Sequence, residues 1–213
     1  MRFVPPSREM LAETLLAAGP SAETLCDGWE CRHLAAHLVL REHHALAAGI
    51  AGGPLEKPMM RLLDKWADEA RSIPGYQRLV ERFAAGPGSF SPFAIGRVER
   101  AANLTEFFVH TEDIRRAHER WAPRVLDREY SERLWSALTR VSSLLYRGVD
   151  VGVILVRPDG KRHVAKKANT SVAITGEPSE LLMHGSGRRD HALVTFEGTD
   201  DAVALLSDVS VSR

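Results

Sequence analysis

Glu106 and His110 stand four residues apart in the run Asn103-Leu104-Thr105-Glu106-Phe107-Phe108-Val109-His110. Positions i and i+4 share one face of an α-helix, so both side chains can reach a single ion. Leu104, Phe107, Phe108 and Ala101 make the stretch mostly apolar, which turns the pair inward. A carboxylate among such residues is costly unless it is paired or placed on a metal. A second segment repeats the spacing with His33 and His37, and His43 and His44 follow on its last turn. Helical bundles build metal sites from inward Glu and His on facing helices, and two His with one Glu is a common catalytic zinc set. Spacing alone leaves the second helix's ligand open. His37 lies among Leu34, Ala36, Leu38 and Val39, whereas His33 is nearer a polar turn. Either pair taken singly also fits a surface pair or a satisfied core histidine. Their coincidence on two helices favours a site.

The elements that must position these residues are mostly helical. Ser7 precedes an apolar-periodic segment that Gly19-Pro20 ends, and the second helix is predicted from about Cys31 to Ala48. Gly49 to Pro58 is a Gly/Pro-rich loop. Met59 to Ser72 is predicted helix, and Tyr76 to Ala85 continues after a break at Pro74-Gly75. The helix carrying Glu106 and His110 is predicted over Ile95 to about Arg120. Another follows from Arg128 to Arg147, with Asp127 as its cap and Gly148 at its end. Beyond Gly148 the period changes. Val151–Val156, Pro158-Asp159-Gly160 and Arg162–Lys166 form a strand, turn and strand; Ser171–Gly176 and Ala192–Glu197 are further strands. Helices are expected from Pro178 and, capped by Thr199, over 200–206. The expectation is a mainly α chain: a metal-binding helical bundle over residues 1–148, then a small C-terminal α+β domain over 149–213.

Composition narrows the partners. The 213 residues include 28 basic and 28 acidic side chains, so no basic surplus marks a nucleic-acid interface. No run approaches the roughly 20 apolar residues of a membrane span, and charges interrupt the start before a signal sequence forms. The expectation is a soluble cytoplasmic protein without nucleic-acid or membrane partners. Cys26 and Cys31, spaced C-x4-C, are too few for a disulfide scaffold and do not match a CxxC pair, so neither is expected to carry redox or metal chemistry. Trp66, Trp121 and Trp135 can serve the core or a homodimer surface.

Two stretches resemble a known group. Trp29-Glu30-Cys31-Arg32-His33-Leu34-Ala35-Ala36-His37-Leu38 is similar to the second-helix signature of the DinB-like superfamily, in its mycothiol-dependent maleylpyruvate isomerase branch. Glu106-Phe107-Phe108-Val109-His110 resembles the later E-x3-H pair of that branch. Thr175-Gly176-Glu177-Pro178-Ser179-Glu180-Leu181-Leu182, followed by Gly187-Arg188, resembles its small C-terminal domain. The Asn-Leu-x-Glu-Phe-Phe-Val-His stretch is most similar to an actinobacterial subgroup of metal-binding proteins. The resemblance covers nearly the whole chain. The sequence departs from the pattern at His184-Gly185-Ser186, where relatives tend to be apolar.

The resemblance implies a DinB-like four-helix bundle holding a divalent ion, most often zinc, on His37, Glu106 and His110. It also implies mycothiol, or another small thiol, as cosubstrate, and an organic substrate whose anionic group Arg41 or the Arg188-Arg189 pair can hold. The function expected is a metal- and small-thiol-dependent transferase or isomerase. The alternative is a non-catalytic metal-binding stress or regulatory module, in which His33 or His44 closes the coordination sphere as a fourth ligand. A third reading makes His37, Glu106 and His110 a buried hydrogen-bond network without metal.

Overall fold

The computed structural model describes residues 4–43, 56–87 and 97–207. Its helices are α1 (Val4–Ala18), α2 (Cys31–His43), α3 (Glu56–Glu69), α4 (Ile73–Ala85), α5 (Arg97–Arg115), α6 (Arg128–Leu145), α7 (Pro178–Gly185) and α8 (Asp200–Ser207). Its strands are β1 (Gly152–Val156), β2 (Arg162–Lys166), β3 (Ser171–Thr175) and β4 (Thr195–Glu197). The predicted extension of the second helix to Ala48, and His44 with it, lie outside the described residues. The chain divides into two compact units, Met1–Pro123 and Arg124–Arg213. The boundary expected near residue 148 differs from this division by one helix: α6 packs on α7 and β2.

In the first unit, Leu11 and Leu15 of α1, Leu34 and Leu38 of α2, Tyr76, Val80 and Phe83 of α4, and Phe107 and Ile114 of α5 close into one core. α2 is apolar on its other side as well. Ala36 and Leu40 meet Met59, Leu63 and Ala67 of α3. A helix buried on two sides has lost the usual single apolar stripe, as expected for a central element. Arg8 tethers the bundle: its guanidinium grips Glu42 at 2.5 and 2.6 Å and lies over the Phe83 and Phe107 rings.

Two helix ends correct the sequence expectations. The break in the third helical stretch falls between Glu69 and Ile73, not at Pro74-Gly75. Ser72 caps α4 by accepting the Gly75 N–H, and Pro74 sits in the first turn, where a missing N–H costs nothing. A Cβ on Gly75 would lie 2.3 Å from the Glu69 carbonyl oxygen, so glycine permits the close passage of the two helices. α5 stops at Arg115 rather than near Arg120. His118, Glu119 and Arg120 are exposed, so further turns would have no apolar face to bury.

The second unit is a four-stranded sheet in the order β2-β1-β3-β4. β1 and β2 form the expected hairpin, with Gly160 at φ 84° in its turn. β1 and β3 are parallel, and β4 returns antiparallel to β3. β3 alternates buried and half-buried residues, the mark of a sheet with one covered face. Asp127 caps α6 through the Tyr130 N–H at 2.8 Å, as the sequence suggests. Trp135 is buried here, whereas Trp66 and Trp121 of the first unit are half-buried beneath Arg82 and Arg116. None of the described helices is long and apolar enough to cross a membrane.

Candidate metal centre

α2 and α5 bring His37, Glu106 and His110 together. His37 Nε2 lies 3.0 Å from Glu106 Oε1, and His110 Nε2 lies 3.1 Å from the same oxygen. The two imidazole rings meet edge to face, 5.3 Å between centroids. Apolar neighbours produce this convergence. Leu34 and Leu38 lock α2 into the core, Phe107 and Ile114 lock α5, and the three polar side chains share the remaining space.

Three further residues frame the cluster. Trp29 packs against the His37 ring at 5.3 Å. Asp113, one turn beyond His110 and fully buried, accepts from His110 Nδ1 at 2.8 Å. Cys26 Sγ–H donates to Asp113 Oδ2 at 3.2 Å and lies 3.9 Å from His110 Nδ1. Sequence reasoning assigned Cys26 and Asp113 no part in the site. A signal for Asp113 was present: Glu106, His110 and Asp113 stand at i, i+4 and i+7, on one helical stripe. Cys26 carried none, because it reaches the cluster from a loop. That loop is fixed by the Cys31 N–H to the Ala22 carbonyl, and by the Leu25 N–H to the Asp113 carbonyl at 3.0 Å.

Electrostatics follow from the contacts. Burial alone would push the Glu106 carboxyl up, but hydrogen bonds from His110 and His37 hold it well below the usual carboxylate range. Burial pushes His37 down, leaving it neutral. For His110 burial works the same way, yet Asp113, Cys26 and Glu106 together raise it well above the ordinary histidine value. Two histidines therefore surround one carboxylate oxygen, and the protonated ring of His110 lies between two acids.

The donor set fits a divalent cation. One ligand atom from each of His37, Glu106 and His110 lies within 4.8 Å of the others. With the Nε2 protons displaced, two imidazole nitrogens and a carboxylate oxygen suit zinc and its neighbours in the transition series. His110 already has the outer carboxylate that orients a metal-binding imidazole. His37 Nδ1 is buried with no hydrogen-bond partner among the described residues. Such an orphan costs about 1–3 kcal/mol and is not relieved by an ion on Nε2, so His37, unlike His110, has no outer partner among the described residues to orient its ring. Of the alternative ligands, His33 accepts the Glu30 N–H on its Nδ1 at 3.1 Å and stands outside the donor set.

Arg41, expected to hold an anion, lies beside the cluster. Its Nη1 donates to Asn103 Oδ1 at 2.7 Å, and its Nε is 3.5 Å from Glu106 Oε1. Arg188 belongs to the second unit, where its Nη1 donates to the Ser186 carbonyl at 2.6 Å.

No family model matches the chain, and no curated protein matches it. Solved structures do. The mycothiol-dependent maleylpyruvate isomerase aligns with a TM-score of 0.57, at 15% identity over 92% of this chain and 90% of its own. A histidine-to-alanine variant of that enzyme aligns with a TM-score of 0.60 at the same identity and coverage. The chain therefore has the fold of the mycothiol-dependent maleylpyruvate isomerase: the mainly α, DinB-like architecture with a small C-terminal sheet.

Proposed function

We propose that the protein holds a divalent cation, most suitably zinc, on His37, Glu106 and His110, and works as a small-thiol-dependent transferase or isomerase with mycothiol as cosubstrate. The observation that carries the reading is the convergence of both Nε2 atoms on Glu106 Oε1. The shared fold with a mycothiol-dependent isomerase supports the thiol and a cytoplasmic setting. A divalent ion at this position supplies positive charge that lowers the pKa of a thiol beside it. With three donors among the described residues there is room for such a ligand.

The remaining groups have definable parts. Trp29 walls His37 from solvent and stiffens the ring. Asp113 fixes the tautomer of His110 by taking its Nδ1 proton as a hydrogen bond, which leaves Nε2 to ligate. Arg41, half-buried and tied to Asn103, offers its guanidinium to an anionic group of the organic substrate. Arg188 is a second, more distant candidate in sequence for that task.

Elemental analysis of untagged protein prepared without chelator tests the centre. Wild type should carry bound metal, and His37→Ala and Glu106→Ala should lose it. Calorimetric titration with mycothiol then separates the two halves of the proposal. Heat that disappears in the metal-free variants supports thiol dependence. A metal-loaded protein that ignores thiols would instead be a non-catalytic metal-binding module.

A further inference from the structure

The His110 ring has two faces to its chemistry. Nε2 looks toward Glu106 and His37. Nδ1 looks toward Asp113 and Cys26, and these three also form a group able to hold a cation: one atom from each lies within 4.8 Å of the others. We propose that Cys26, Asp113 and His110 Nδ1 form a second metal position, selective for a thiophilic cation, and that it is an alternative to the first position because the two share one imidazole.

Distances support the set. An ion with tetrahedral bonds of roughly 2.0–2.3 Å separates its donors by about 3.3–3.6 Å. Cys26 Sγ stands 3.2 Å from Asp113 Oδ2 and 3.9 Å from His110 Nδ1, on either side of that span. The 2.8 Å contact between His110 Nδ1 and Asp113 is a hydrogen bond and must open by about half an ångström.

Charge and protons balance. Binding a dication here displaces the thiol proton and the Nδ1 proton. The thiolate and the Asp113 carboxylate then cancel the two positive charges, and the His110 ring is left neutral with its proton on Nε2. That proton points at Glu106 Oε1, 3.1 Å away. Glu106 thereby becomes the outer carboxylate for the second position, as Asp113 is for the first. The two arrangements are tautomers of one ring, so a neutral imidazole serves one ion at a time. Softness decides which: a thiolate draws a thiophilic ion, while the His37 and Glu106 donors suit a borderline one. Cys26 is only partly buried, so such an ion can reach it.

Cadmium titration of the intact chain tests this, read by the thiolate-to-metal absorption in the ultraviolet and by release of zinc from loaded protein. Wild type should develop the band at saturation and release its zinc one for one. His37→Ala, which destroys the first position, should keep the band. Cys26→Ser should abolish it while still holding zinc. Three results would overturn the proposal: saturation of wild type without the band, a band that survives in Cys26→Ser, or cadmium uptake with zinc retained. The first of these, with zinc still bound through His37, would leave the proposed function standing. Absence of zinc from wild type with a cadmium band present would do the reverse.

Discussion

Two buried histidines, one in each unit, have opposite surroundings. His110 faces the carboxylates of Glu106 and Asp113. His184 faces the hydroxyl of Tyr146 at 2.9 Å, stacks on that ring, and packs against Phe196. Both are nearly inaccessible to solvent. Burial pushes His184 down to about 4, helped by the positive charge of Arg189, whereas anions overcome burial at His110 and raise it. Burial alone therefore does not mark a histidine as functional. What sets His110 apart is its two anionic partners, which cost free energy in the interior unless a positive charge offsets them. His184 is a piece of core with a polar edge; its Nδ1 is satisfied by one neutral partner. Tyr146 thereby absorbs the polarity of the His184 ring.

The contrast can be broken in several ways. The largest effect should come from Glu106→Gln, which keeps the shape but removes the charge. It should weaken zinc binding by more than about a hundredfold, beyond the roughly 10–100-fold typical of outer partners, measured by competition with a chromogenic chelator. An unchanged affinity would place the metal elsewhere. Asp113→Asn should cost about 10–100-fold in the same assay, and the nitrogen chemical shifts of His110 should move with it. A drop in affinity without that movement would point to general loosening of the bundle.

His184 gives the next effect, in stability rather than binding. Its folded pKa lies below the unfolded value, so the unfolded chain takes the proton first as pH falls. Stability from this group is complete above about pH 6.5, declines as pH falls toward 4, and is flat below that. A shift from 6.5 to about 4 corresponds to about 3 kcal/mol at 1.36 kcal/mol per unit. The double substitution His184→Phe, Tyr146→Phe should flatten that limb of the urea-denaturation profile. A limb as steep as in wild type would assign the acid sensitivity to other groups. The smallest effect should be that of Asp127→Ala, which removes the α6 cap. It should cost about 1 kcal/mol and leave zinc affinity untouched.

Much of this was legible in the sequence, for reasons that differ by element. The strands and the β1–β2 hairpin announce themselves through β-branched runs around Pro158-Asp159-Gly160, and the cap of α6 through Asp127. The i, i+4 pair on α5 follows from helical geometry once the flanking phenylalanines turn it inward. The start of α4 was misplaced because Pro74 signals a break when viewed locally, yet is welcome in a first turn. The early stop of α5 depends on what its last turns would pack against, which no local pattern encodes. Cys26 was passed over because its role arises from a loop folding back across 87 residues to Asp113. Long-range closure of that sort leaves no periodic trace.

The backbone of Asp113 has a consequence of its own. Its carboxylate holds His110, and its carbonyl accepts the Leu25 amide, so one residue fastens both the His110 ring and the loop bearing Cys26 and Trp29. The loop is thus stitched to α5 and cannot lift away without breaking that stitch. Lifting of the loop then becomes an event of local unfolding, with a rate set by how often the strap opens. The exchange lifetime of the Leu25 amide hydrogen is a clock for that opening, and it should lengthen when the centre is filled.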